Sequence, residues 1–193
     1  MNDYIEPTNC MLLNERRQAQ LIADVSDEHE VLGSGCMGFM QDTPWISKAA
    51  GTDLEAPLTD DDVTRVVDFY RSRGVSPALE VTAYSDARTL AAASRAGFGL
   101  SEVEHVLSRK PAHLDVPPPD DVTIHPLDAT DEAALQRHAE IICSGLAPEE
   151  AAVPSALRES SVRCQRNPNA MGFFACLPDG ECVGAAGMEI TTI

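Results

Sequence analysis

The run Lys110-Pro111-Ala-His-Leu-Asp-Val-Pro117-Pro118-Pro119-Asp-Asp121 divides this chain more sharply than any other segment. Each proline fixes its own φ and lacks an N–H. Three in succession stiffen the backbone toward polyproline II, so the run enters neither a helix nor a central strand. It reads as a linker, residues 111–121, between a domain at 1–110 and a second at 122–193. Charge does not separate the two sides: residues 1–110 hold 10 Lys+Arg and 18 Asp+Glu, and residues 111–193 hold 4 and 13. The formal charge of −17 repels phosphate backbones and anionic lipid surfaces at long range. No nucleic-acid or membrane partner is therefore expected, and a neutral or cationic small molecule is. With 44% hydrophobic residues, the chain has the apolar material to bury a core.

Before the linker, Asn14 to Val25 reads as a helix, and Glu30 to Met40 as a glycine-interrupted apolar stretch. Thr59 caps a stronger helix. There Val63, Val66, Val67 and Tyr70 fall on one face, acids at 60–62 suit the N-terminal dipole, and Gly74 ends the segment. Ala78 to Ala83 is expected as a strand, Ser85-Asp86 as the cap of an Ala-rich helix ending at Gly97, and Gly99 to Ser108 as a second strand. After the linker, Val122 to Leu127 reads as a strand. Asp128 or Thr130 then caps a helix carrying Leu135, His138, Ala139 and Ile142 on one face. A further helix falls within Pro148 to Cys164, bent or broken near Pro154. Met171 to Leu177, the turn Pro178-Asp179-Gly180 and Glu181 to Ile190 make a hairpin. The order after the linker is β-α-α-β-β.

The chemistry-bearing residues are sparse. Six cysteines (Cys10, Cys36, Cys143, Cys164, Cys176, Cys182) show no C-x-x-C pair, so free, mostly buried thiols are expected. The five histidines stand singly, so no metal site is expected. Gly33-Ser34-Gly35-Cys36-Met37-Gly38 spells G-x-G-x-x-G. A dinucleotide site needs that motif between a strand and a helix, and here Pro44 follows too soon; a flexible or close-packed glycine segment is the alternative. Asp60-Asp61-Asp62 suits a first helical turn better than a metal cluster. His138, on an apolar helix face, reads as a core histidine. No run approaches the ~20 apolar residues of a membrane span. The N-terminal MNDYIEPTNC carries acids where a secretory signal carries Lys or Arg, so a cytoplasmic location is expected.

After the linker, Val122-Thr-Ile-His-Pro-Leu-Asp128 resembles the opening strand of the GNAT superfamily of acyl-coenzyme A N-acyltransferases. Gly172-Phe-Phe-Ala-Cys-Leu-Pro-Asp-Gly-Glu-Cys-Val-Gly-Ala-Ala-Gly187 resembles that family's hairpin. Before the linker, Leu90 to Arg109, with Ala96-Gly97-Phe98 and Glu104-His-Val-Leu-Ser-Arg109, resembles the family's final helix and strand, as in members carrying two tandem copies. The resemblance implies an α+β fold of the α/β three-layer type: a GNAT-like mixed, mostly antiparallel sheet flanked by helices, with a degenerate N-terminal half-domain at 1–110 and the front part of an acyltransferase domain at 122–193. It further implies acetyl transfer from acetyl-CoA, as co-substrate, to a small-molecule amine, without a metal.

The family holds the coenzyme pyrophosphate on a Gln/Arg-x-x-Gly-x-Gly/Ala loop that opens a helix. That segment is expected after the hairpin and has no counterpart before Ile193, nor has the family's usual tyrosine general acid. Arg71-Ser-Arg-Gly74-Val-Ser76 is the nearest match, at a helix C-terminus whose dipole repels phosphate. Glu189, on the last strand, is the residue nominated as a base, against the reading of an outward-facing strand carboxylate. The expectation is an acyltransferase incomplete in this chain. The alternative is a GNAT-like binding module, or a truncated product completed by another chain. An open sheet edge after the hairpin predicts a homodimer or pairing with a partner strand.

Overall fold

In the computed structural model, which describes residues 6–107, 119–146 and 152–190, the chain divides into two compact units, Met1–Lys110 and Pro111–Thr192. The fold is mixed α+β, with five helices and two antiparallel three-stranded sheets among the described residues.

The first unit opens with α1 (Pro7–Val25), a longer helix than the one expected from Asn14, because Pro7 sits in the first turn, where its missing N–H costs nothing. The hairpin β1 (Glu28–Leu32) and β2 (Gly35–Phe39) follows, and β3 (Ala49–Ala50) pairs with β2. Alternation along β2 sends Met37 and Phe39 into a core with Val63, Val66, Phe69 and Tyr70 of α2 (Asp60–Arg71). It sends Cys36 to the opposite face, against Ala19 and Ile22 of α1. Helix α2 begins as its sequence indicates: Thr59 and Asp62 form a reciprocal capping box. At the other end Gly74 adopts φ 74°. Asp86 caps α3 (Ala87–Arg95).

Two expected strands are corrected. Of Ala78–Ala83, only Leu79 bridges, in parallel, to Ala49; beyond Glu80 the chain folds into a turn in which Thr82 and Ser85 bond one another. Gly99 to Leu107 forms no strand, and Ser108 lies outside the described residues. Leu100 and Leu107 are 85% and 94% exposed, so the apolar alternation there has no covering layer and no strand to pair with among the described residues.

The second unit runs β4 (Thr123–Pro126), α4 (Glu132–Leu146), α5 (Ser155–Arg166), β5 (Ala170–Cys176) and β6 (Cys182–Glu189), with sheet order β4-β5-β6. The cap of α4 is Asp131 rather than Asp128 or Thr130: its carboxylate accepts from the N–H groups of Ala133 and Ala134. Asp128 instead closes a turn on Thr130. Pro154 is the N-cap of α5, so the proline starts that helix rather than bending it. Leu135 and Ala139 of α4 pack with Val162 of α5 and Leu127.

The G-x-G-x-x-G segment is the β1–β2 hairpin. A Cβ on Gly35 would lie 2.0 Å from the carbonyl oxygen of Ala50, and one on Gly38 2.2 Å from Ile22. Gly35 and Gly38 are thus required for close packing. Gly35→Ala should therefore separate β2 from β3 and cost more than the roughly 1 kcal/mol expected for removing the Thr59 cap. Urea unfolding of the two variants side by side checks the order.

Candidate functional site

Gly172 of β5 stands opposite Gly187 of β6 in the antiparallel register, and the space left by the two missing side chains is taken by Gln165 from α5. A Cβ on Gly172 would meet Gln165 Oε1 at 2.8 Å and Leu127 Cδ2 at 2.6 Å; a Cβ on Gly187 would meet Gln165 Nε2 at 2.6 Å. Gln165 Oε1 is shut off from solvent and accepts no hydrogen bond among the described residues. Glu189 lies two positions beyond Gly187, so the two-residue period of a strand puts it on the same, helix-covered face. It is half-buried, opposite Ala170, with Oε1 withdrawn from solvent. The sequence offered two placements for this residue, and the structure takes the inward one over the outward-facing strand carboxylate.

His138 of α4 closes the neighbouring part of this face. It is completely buried, its ring meets Phe174 edge-on at 5.3 Å, and its Nε2 lies 3.1 Å from the Ala186 carbonyl oxygen. A carbonyl only accepts, so Nε2 carries the hydrogen and Nδ1 is left as a buried lone pair without a partner. His138 is thus a core histidine tying α4 to β6, as its place on an apolar helix face implied. Gln165 carries no signal in the sequence, because the opposed glycines that seat it lie fifteen residues apart in the chain and become neighbours only through pairing.

At the far end of the same hairpin Cys176 and Cys182 form a disulfide, which corrects the expectation of six free thiols. A bulge at Ala175/Cys176 sets the two cysteines opposite each other beside the turn, and their spacing matches no familiar pair motif. Cys10, Cys36, Cys143 and Cys164 lie outside that disulfide. Burial pushes the Cys36 thiol up to about 11, which suits a packing role rather than a nucleophile.

No described helix offers the loop that a coenzyme pyrophosphate requires. Glu6, Asp86 and Asp131 stand at the starts of α1, α3 and α4, and Asp60 to Asp62 fill the first turn of α2. Helix α5 starts without an acid, but Ala151-Ala-Val-Pro154 precedes it, with no glycine. Arg71 ends α2, and Arg73 is already engaged, stacked 3.7 Å over Phe69 and paired with Glu28 at 2.6 Å. The described residues do not fit acetyl-CoA in the family's manner. Among them there is also no group of His, Cys, Asp or Glu able to hold a metal, and no helix long and apolar enough to cross a membrane. Comparison with known proteins matched the chain to no family, no curated protein and no solved structure.

The first unit holds a second group of ionisable residues. Glu15 of α1 is 5% exposed. Desolvation raises its pKa, Glu80 and Asp53 push the same way, and the Asn14 amide and Lys48 oppose them. Lys48 is committed to Glu80 at 2.6 Å. A carboxyl whose folded pKa is raised carries no penalty below its ordinary value near 4.5 and destabilises the fold as pH rises through the raised value. Glu15→Gln should therefore stabilise the protein at neutral pH, with the gain vanishing below about pH 4. Urea midpoints of both proteins across that range test the sign.

Proposed function

We propose that this chain carries GNAT-like architecture and serves N-acyl transfer, moving an acetyl group from acetyl-CoA to a small amine. The observation that carries the reading is the order of the second unit: a strand, two helices and an antiparallel hairpin, β4-α4-α5-β5-β6. In this reading Glu189 takes the proton that the amine loses. A half-buried carboxylate on the helix-covered face of the sheet suits that role. The acidic surface favours a cationic amine over an anionic one.

A second reading is a GNAT-like binding module without turnover, completed by pairing with a second copy or another strand. It is favoured by one specific observation: Gly35 and Gly38 of the G-x-G-x-x-G segment are packed against the protein's own groups, and Arg73 is paired with Glu28 and stacked on Phe69.

Melting in the presence of acetyl-CoA separates the two. A ligand at 100 times its dissociation constant adds about 2.7 kcal/mol of stability, so the acyltransferase reading expects a rise in Tm with acetyl-CoA beyond that given by pyrophosphate at the same concentration, and the module reading no such excess. Given a preparation that releases coenzyme thiol, Glu189→Gln should lower kcat and flatten the acidic limb of the pH–rate profile. An unchanged profile would remove Glu189 from the chemistry.

A further inference from the structure

We propose that the two adjoining grooves between α4 and α5 form a binding site for a small ligand carrying more than one phosphate group, with Arg158 as its central contact. Residues 111–193 contain four cations, Arg137, Arg158, Arg163 and Arg166, and no lysine. All four line these grooves. The first, of about 370 Å³, is bordered by Arg158, Arg163 and Arg166 with Ser155 and Gln136. The second, of about 500 Å³, is bordered by Arg137 and Arg158 with Ser144. Of the 13 acids in the same stretch, the two linings include Glu159 and Glu140. In a unit of net negative charge, the cations are gathered on one concave surface.

Their ion pairs leave capacity for a ligand. Arg163 is held by Glu159 at 2.6 Å and Arg166 by Glu132. Glu140 is divided between Arg137 and Arg158, 3.8 Å from each, beyond hydrogen-bonding distance for both. The Arg158 guanidinium, shared by both grooves, therefore presents its fork of N–H donors without a close acceptor among the described residues. Such a fork matches the paired oxygens of a phosphate or a carboxylate. The arginines from Arg158 to Arg166 extend about 12 Å along the helix axis, more than one carboxylate can span, which selects a ligand with several anionic groups. The site does not rest on the acyl-transfer reading, since inorganic pyrophosphate, which carries no acyl group, is enough to test it.

The test uses the full chain and inorganic pyrophosphate, in metal-free buffer, against sodium chloride at matched ionic strength. Pyrophosphate should raise Tm saturably, and amide resonances of residues 155–166 should move with it. Arg158→Gln should abolish the effect and Arg163→Gln should weaken it several-fold. Arg163 is partly exposed, and the Tm of its variant without ligand checks that the fold is kept. Should Arg158→Gln not fold, Arg158→Lys keeps the charge, loses the fork and should weaken binding. No shift over matched salt, or an unchanged shift in the Arg158 variants, overturns the site. A citrate shift equal to that of pyrophosphate overturns the phosphate class.

Discussion

Glycine controls how closely covering groups approach both sheets. In the first unit Gly35 lies against the backbone of Ala50 and Gly51, and Gly38 lies under Ile22 and Ser26. Any side chain at either would collide with a neighbour in the same layer or the next. In the second unit Gly172 and Gly187 let an amide from α5 descend to the strands. A three-stranded sheet has little area to cover, and close approach is how so small a sheet still excludes water. Met37, Ala49 and Ala50, each 1% exposed or less, show the result. The same closeness seats Gln165 over the glycine pair and leaves its Oε1 buried without a donor, a cost accepted where packing leaves no alternative.

What the sequence disclosed follows from the range of the interactions involved. Thr59, Asp62 and Gly74 mark α2 because a capping box and a positive-φ stop are decided within a few residues. Pro178-Asp179-Gly180 marks the β5–β6 turn for the same reason, with Gly180 at φ 88°. Features that depend on pairing were hidden. The Cys176–Cys182 disulfide needs the bulge that aligns it. The strand expected at Gly99 to Ser108 has suitable alternation and, over its described part, nothing to pair with among the described residues, because alternation records a tendency that a partner must complete. For the candidate site, Glu189 was legible as a carboxylate on the last strand. Its orientation was not, since a strand's inward face is fixed by what the helices cover, and Gln165 shows which face that is.

Net charge proves a poor guide to local chemistry in this chain. Beyond a Debye length, about 8 Å at physiological ionic strength, the field of a formal −17 is largely screened. Within that distance the neighbours of each group decide. Glu15 is driven toward the protonated form first by burial and then by Glu80 and Asp53, with one lysine near to oppose them. On α4 and α5 the balance runs the other way, because Glu140 serves two arginines and Glu132 and Glu159 serve one each. Among the described ion pairs of these helices four guanidiniums share three carboxylates, which favours a positive surface inside an acidic protein. An anion approaching from solvent meets repulsion first and attraction only at contact, so such a surface discriminates by the number of arginines a ligand reaches at once. A monovalent anion gains little there, and one with several charged groups gains at each of them.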